Sequence, residues 1–464
     1  MALLGGGCGE SDAEDTDREG SDVEGTEATE TGTDTDSDSA AEVPANLLLI
    51  ILDDFGLDMA TFDAANPCYE VGDPTFDPDM PNIAGLCQDG VRFTQAWATP
   101  LCSPTRASIL TGYHMPVHGI TTAAGRNDSL PDGIGTLPLR LHAADSGYAT
   151  ANIGKWHLST EPADPNTFGW DHYAGSLSGA LPSYNDWQRT VDGVTETSTV
   201  YASTQNVDDA LSWLATVEDD EPWLLWFAVN VPHTPIHLPP PELHDRDLVP
   251  YTDEQDPRPY GAAMMEALDT ELGRLFDSLR DSGEWDDTIV VVMGDNGTAR
   301  QLGDQPPYPA ARRKGSLYQG GIHVPMIVAG RGIDGGRTVD TLVSTVDLHP
   351  TLLEWAGVPI DEDWDLAGTS LASCLLDGST CEGSQTVFSA VSSGDVNNND
   401  GVVARDATHK LICFEAGGAV LFDMVDDPRE RTDLYDPASP DAIRLEAEIR
   451  AVFGDLSPCT DLSL

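Results

Sequence analysis

Asn46–Leu52 runs as Asn-Leu-Leu-Leu-Ile-Ile-Leu and is followed at once by Asp53 and Asp54. It is among the longest apolar runs in the chain. No stretch approaches the roughly 18 apolar residues that a membrane span requires. A half-buried strand alternates apolar and polar residues, whereas an unbroken apolar run fits a strand covered on both faces. The run therefore predicts an inner strand of a largely parallel sheet, with two carboxylates at its C-terminal end.

Further strands are predicted at 148–153, 223–229, 288–293 and 325–329, with amphipathic helices at 137–145, 207–217 and 262–280 and another at 344–357. Strands alternating with helices argue for an α/β sandwich. From about residue 384 the texture changes. Short strands are expected at 386–391, 401–405, 409–414 and 419–423, with a closing helix at 441–452, which reads as a smaller antiparallel subdomain. Long loops rich in Pro, Gly and Asp are expected around 56–80, 160–206 and 238–260. Ligands of open α/β sheets bind outside the carboxyl ends of the strands, so these loops are candidates for shaping access.

The formal net charge is −56. Between Glu10 and Glu42 there are 14 acidic residues and one basic residue, Arg18. That segment cannot bury enough apolar surface to offset its ordering and is expected to be disordered. Subtracting its −13 from −56 still leaves −43 on the remainder, which argues against nucleic acid as a partner. The first eight residues, ending in three glycines and Cys8, look like the end of a bacterial lipoprotein leader, with Cys8 as candidate lipid anchor. The apolar part is short for a leader, so a cytosolic protein with an acidic arm is the competing reading. The expected organisation is a leader at 1–8, an acidic linker at 9–43, a main domain at 44–383 and a C-terminal subdomain at 384–464. The leader implies the bacterial cell envelope, as a periplasmic or surface lipoprotein, or secretion.

Eight cysteines occur, at 8, 68, 87, 102, 374, 381, 413 and 459. Leaving out Cys8 and Cys102 gives six, a number compatible with three disulfides in an oxidising compartment. Cys374 with Cys381 and Cys413 with Cys459 are candidate pairs, against the alternative of six reduced, buried thiols.

Several motifs fall at the ends of predicted strands. Asp53-Asp54 and Asp295-Asn296-Gly297 together offer three carboxylates and an amide oxygen, a hard set suited to Ca²⁺ or Mg²⁺. The alternatives are a solvated turn and an Asn-Gly hairpin. Gly154-Lys155-Trp156-His157 brings a cation and a titratable base. Only three lysines occur, Lys155, Lys314 and Lys410, so two of the three fall in such motifs. Pro232-His233-Thr234-Pro235-Ile236-His237-Leu238-Pro239 stiffens the backbone around a histidine, against the alternative of a Pro-rich loop with incidental histidines. Lys314-Gly315-Ser316-Leu317-Tyr318-Gln319-Gly320-Gly321-Ile322-His323-Val324-Pro325 precedes another strand. Leu101-Cys102-Ser103-Pro104-Thr105-Arg106, leading to Leu110-Thr111-Gly112, sets a cysteine at a helix start. Alone, such a cysteine can be a small buried apolar residue. Asp395 to Gly401 has the look of a calcium loop with its glycine one place late, and a polar hairpin turn is the competing reading.

The order Asp-Asp, Cys-x-Pro-x-Arg, Gly-Lys-Trp-His, Pro-His-x-Pro, Asp-Asn-Gly, Lys-Gly-x-x-Tyr-x-Gly-Gly-x-x-Val-Pro resembles that of the type I, formylglycine-dependent sulfatases of the alkaline phosphatase superfamily. The resemblance covers roughly residues 46 to 357, and Asp427-Pro428-Arg429-Glu430 extends it into the C-terminal part. It implies an alkaline-phosphatase-like sandwich. It also implies that Cys102 is oxidised by a formylglycine-generating enzyme, and that Asp53, Asp54, Asp295 and Asn296 bind Ca²⁺ together with residue 102. Arg106 and Lys155 would stabilise the nucleophile and His157 would contact it, while His233 and Lys314 would face sulfate and leaving group. The implied activity is hydrolysis of a sulfate ester of a small molecule or a carbohydrate. Two readings compete: a phosphonate monoester or phosphodiester hydrolase with the same nucleophile, and a non-catalytic calcium-binding surface lipoprotein. His323 and Tyr113 stand where the family often has Arg; neither is a catalytic position.

Overall fold

The computed structural model describes residues 44–60, 68–69, 76–123, 129–302, 307–381, 383–392, 400–454 and 459. Cys8 with the leader, the acidic linker, and positions 395–399 of the calcium-loop candidate lie outside the described residues. Sixteen strands are described. They are β1 Asn46–Leu52, β2 Val91–Phe93, β3 Ala96–Trp97, β4 Ala149–Lys155, β5 His172–Ser176, β6 Trp187–Val191, β7 Val194–Ser198, β8 Trp223–Ala228, β9 Thr288–Gly294, β10 Met326–Gly330, β11 Arg337–Val339, β12 Val343–Ser344, β13 Val387–Val391, β14 Gly401–Arg405, β15 His409–Phe414 and β16 Ala419–Asp423.

Ten of them form one mixed sheet in the order β11-β2-β10-β9-β1-β8-β4-β5-β6-β7. Its centre is parallel: β1 pairs with β8 and β9, and β4 pairs with β8 and β5. The reason for the unbroken apolar run in β1 is now visible. Leu48, Ile50 and Leu52 face one core, with Leu225, Phe227, Val290 and Val292. Leu47, Leu49 and Ile51 face another, with Leu224, Trp226, Val291 and Met293. Helices Pro81–Asp89, Ala202–Leu214 and Arg258–Ser282 bury residues in the first core. Helices Cys102–Thr111, Leu137–Ala143 and Leu348–Trp355 bury residues in the second. A sheet with helices on both faces gives each strand residue an apolar neighbour, which is why period-two alternation disappears.

The predicted strands and helices recur with ends shifted by a few residues, with one consequence for the site: β4 runs on through Gly154 and Lys155. The stretch 160–206, expected to be a long loop, holds β5 and the antiparallel hairpin of β6 and β7. Only the second half of 344–357 is α-helical, beginning at Leu348, because Ser344 and Asp347 form a capping box over a short 3₁₀ turn first.

β13 to β16 make a four-stranded antiparallel meander. One face packs with Leu445, Ile449 and Phe453 of helix Pro440–Phe453. The other face, with Val391, Val403, Ile412 and Phe422, packs against Trp97, Leu317 and Ile322. Residues Val43–Leu464 accordingly form one compact unit. Disulfides join Cys68 to Cys87, Cys374 to Cys381 and Cys413 to Cys459. Cys102 is the free cysteine among the described residues.

Candidate active site

The C-terminal ends of β1, β4, β8 and β9 converge on one buried cluster. Asp53 follows β1, and its backbone N–H donates to the carbonyl of Val231, beyond β8. Asp295 follows β9, and its N–H donates to the carbonyl of Leu52. Asp54 takes a left-handed backbone, φ 65°, which turns its N–H onto Asp295 Oδ1 at 3.0 Å. The Asn-Gly pair after Asp295 is no hairpin. Gly297 N–H donates to the Gly321 carbonyl at 2.8 Å, and a Cβ on Gly297 would lie 1.9 Å from the Gly320 carbonyl oxygen. This glycine lets the 314–325 segment close onto the end of β9.

Three carboxylates meet three cations, one each. Lys155 Nζ lies 2.6 Å from Asp53 Oδ2, and Arg106 Nη2 lies 2.8 Å from Asp295 Oδ2. Lys314 Nζ pairs with Asp54 Oδ1, which also accepts from Asn296 Nδ2 at 2.9 Å. Arg106 Nη1 donates to the Lys155 carbonyl at 2.8 Å, tying the cysteine helix to β4. Cys102 opens helix Cys102–Thr111. Its Sγ lies 3.1 Å from His157 Nδ1, and Ser103 Oγ donates to the His157 carbonyl at 2.7 Å. His157 has a left-handed backbone, φ 54°. Non-glycine residues in that region store strain and persist where their surroundings over-determine them. His233 approaches from the β8 side, its Nε2 3.8 Å from Asp54 Oδ2.

The side chains of Asp53, Arg106, Lys155 and Asp295 have no exposed surface, while Lys314 and His233 keep 17 % and 15 %. The last two therefore form the open side of the site. Burial by itself would raise the Asp53 carboxyl, but Lys155 first, then His233, Lys314 and Arg106, hold it well below the ordinary range. Burial, and next the charge of Asp53, raise Asp295. Burial lowers Lys314, yet Asp54 more than offsets this and raises it. Burial, with Lys155 and Arg106 beside it, keeps His157 neutral at physiological pH. Burial also raises the Cys102 thiol, so the thiol itself is not disposed to ionise.

Two acceptor atoms in the cluster, Asp53 Oδ1 and Asn296 Oδ1, are buried without a hydrogen-bond partner. Orphaned buried oxygens call for a partner. Asp53, Cys102 and Asp295 have ligand atoms close enough together to share one ion, as do Asp53, Asp54 and His233. The donors Asp53, Asp54, Asp295 and Asn296 are oxygens, which suits a hard divalent cation such as Ca²⁺ or Mg²⁺.

All ten sequence-derived site residues thus meet in one place. Four supports escaped sequence reasoning. Ser103 fixes the His157 carbonyl. The Tyr184 hydroxyl donates to the carbonyls of Asn230 and His233. His237, within the Pro-flanked motif but given no role there, stacks on Tyr184 with ring centroids 4.2 Å apart. Gly179 packs against the His157 ring, where a Cβ would lie 2.2 Å from Nε2. The two departures from the motif pattern sit outside the cluster. His323 Nε2 donates to the Thr94 carbonyl, and the Tyr113 hydroxyl donates to that of Trp364.

The family model described as Sulfatase matches residues 45–358, and one described as N-sulphoglucosamine sulphohydrolase, C-terminal, matches 312–452. The chain is 27 % identical over 376 residues to the uncharacterized sulfatase YdeN of Escherichia coli, covering 72 % of this chain and 66 % of that protein. It is 28 % identical over 377 residues to human N-acetylgalactosamine-6-sulfatase, covering 73 % and 67 %. The chain thus spans about two thirds of the length of these relatives. Among solved structures, Ps i-CgsB in complex with k-i-k-neocarrahexaose has a similar fold, with TM-score 0.75, 23 % identity and coverage of 90 % and 94 %. BT4656 in complex with D-glucosamine-2-N,6-O-disulfate superposes with TM-score 0.70, 20 % identity and coverage of 90 % and 100 %.

Proposed function

From the premise that the chain belongs to the sulfatase family, we propose that it hydrolyses a sulfate monoester, with residue 102 acting as formylglycine made from Cys102. Hydrated formylglycine supplies two hydroxyls, one to attack sulfur and one whose proton is then removed so that sulfate leaves and the aldehyde is restored. A divalent cation, Ca²⁺ or else Mg²⁺, held by Asp53, Asp54, Asp295, Asn296 and residue 102, supplies positive charge next to the sulfate oxygens.

The remaining work falls to the chain's own side chains. Arg106 and Lys155 hold Asp295 and Asp53 in register beside residue 102 and add fixed positive charge where negative charge develops. His157, neutral and with Nδ1 at 3.1 Å from the residue 102 side chain, accepts the proton of the second hydroxyl. Lys314 binds sulfate on the open side, and His233 donates a proton to the leaving alcohol oxygen. The observation that carries the reading is the one-to-one matching of three carboxylates with three cations around a lone cysteine at the ends of four strands.

The substrate we propose is a small sulfated carbohydrate, in keeping with the disulfated glucosamine bound by BT4656. A net charge of −56 disfavours polysulfated polymers at long range. The reading requires a formylglycine-generating enzyme as maturation partner. The three disulfides support an oxidising location, the cell envelope or the exterior, and Cys8 is the proposed lipid anchor.

The test is peptide mass spectrometry across residues 102–106, on protein from a host able to make formylglycine. It is paired with sulfate release from aryl sulfate, and with an aryl phosphonate as comparator. Formylglycine and calcium-dependent sulfate release are expected. An intact thiol with no activity sinks the enzyme reading, and preference for the phosphonate assigns the same nucleophile to phosphorus esters.

A further inference from the structure

In the active-site cluster each cation has its own carboxylate; around Arg405 this balance fails. Arg405 ends β14 and is only 4 % exposed, yet its Nε and Nη1 have no hydrogen-bond partner. A guanidinium does not lose its proton in a protein, and burial draws this one down only to about 10. The carboxylates that act on it, Glu430 and Asp406, are engaged elsewhere. Glu430 takes Lys410 Nζ on Oε1 and the Gln319 N–H on Oε2. Asp406 accepts the N–H groups of Thr408 and His409 and pairs with Arg444. Lys410 is itself fully buried, and the charges of Arg405 and Arg312 both oppose its own. Neither carboxylate is thus hydrogen-bonded to Arg405, whose guanidinium lies over the Trp97 ring, 5.8 Å from its centroid, in a chain whose net charge is −56.

A cavity of about 460 Å³ opens against this excess of positive charge, lined by Arg405 together with Arg92, Arg429, His323, Tyr308 and Gln319. None of the lining residues belongs to the Asp53–Cys102–Asp295 cluster. A buried, unpaired charge is among the costliest features a fold can carry, and an anion in this cavity would remove the cost.

We propose that the cavity binds a small dianionic oxyanion of the sulfate or phosphate type, with the Arg405 guanidinium at the inner wall and Arg92 and Arg429 completing the positive lining. One buried arginine at the inner wall and two nearer the rim give the charge-assisted hydrogen bonds that tetrahedral oxyanions require. The site is independent of the state of residue 102.

Crystals of the full chain soaked in millimolar selenate, which scatters anomalously and mimics sulfate, should show a peak within hydrogen-bond distance of Arg405. A peak confined to the Cys102 cluster, or none, overturns the proposal. In solution, sulfate and phosphate should raise the melting midpoint beyond chloride at equal ionic strength. Arg429→Ala, an exposed position, should raise the sulfate concentration needed roughly fivefold, and Arg405→Gln should abolish the increment at this site. An unchanged sulfate midpoint in Arg429→Ala, or a selenate peak that appears only at molar concentration, means an adventitious ion only and equally overturns it.

Discussion

At His157 three constraints meet: a left-handed backbone, a 3.1 Å contact from Nδ1 to Cys102 Sγ, and Gly179 against the opposite side of the ring. Gly179 is half-buried in a loop, so a methyl group there leaves the core untouched and presses on the imidazole, 2.2 Å from Nε2. Gly179→Ala is expected to lower kcat on the order of 100-fold, the scale of a 1 Å misplacement, with the melting midpoint shifted by no more than a few degrees. Steady-state kinetics and a melting curve check this; an unchanged kcat would show that His157 is not held by this contact. The residue scale also divides what the sequence discloses from what it hides. Cys102, Lys155 and His157 were legible because their chemistry resides in the side chain, and because lysine is so scarce here. Gly179 was not, because its contribution is an absent atom, visible only once the His157 ring has a position.

Among elements, β1 was legible to the residue, since burial on both faces leaves no periodicity to misread. The hairpin β6–β7 was missed although its signals were present. Asp192 and Gly193, with φ of 42° and 84°, make the positive-φ turn that Asp-Gly favours. The charged and polar residues of an outer hairpin, however, look like the loops on either side. A second joint between elements gives a pH prediction. Asp269, on helix Arg258–Ser282, accepts hydrogen bonds from the N–H groups of Asn82 and Ile83 at the start of helix Pro81–Asp89. Burial outweighs those bonds and raises its pKa from 3.8 to about 6. The folded chain therefore holds this proton more tightly than the unfolded chain. The associated stability is fully present below pH 3.8, declines as pH rises, and is gone above about 6. Urea unfolding of the native chain and Asp269→Asn should show a difference that changes by about 2 kcal/mol between pH 4 and 6.5. A pH-independent difference would mean that Asp269 is ionised throughout.

For the molecule as a whole, charge is the dominant variable. With a net of −56, any divalent cation will screen self-repulsion, so specific binding has to be separated from screening. Millimolar Ca²⁺ should raise the melting midpoint by a few degrees above sodium chloride at the same ionic strength, and a chelator should reverse it. Asp295→Asn should remove most of the increment, whereas substitutions at exposed acidic residues should not. Equal midpoints in calcium and sodium would remove the metal from the proposed site. The sheet between two layers of helices and the small meander were both legible in the order of strands. That the meander backs Leu317 and Ile322, in the segment carrying Lys314, was not, because packing between distant segments leaves no local pattern.

The burial of Cys102, only 2 % exposed, places its proposed oxidation in time. A modifying enzyme must grasp the side chain, and the finished sandwich offers no surface by which to do so. The opening for modification begins when residue 102 leaves the ribosome and narrows once β9 and Asp295 arrive, roughly 190 residues later. At about 5–20 residues per second that interval is on the order of 10–40 s. The share of molecules able to react is then a branching ratio between oxidation and closure, decided once per molecule during synthesis. Slower translation or delayed folding would enrich the active form, and no later exposure of the folded thiol to the same enzyme would recover the remainder.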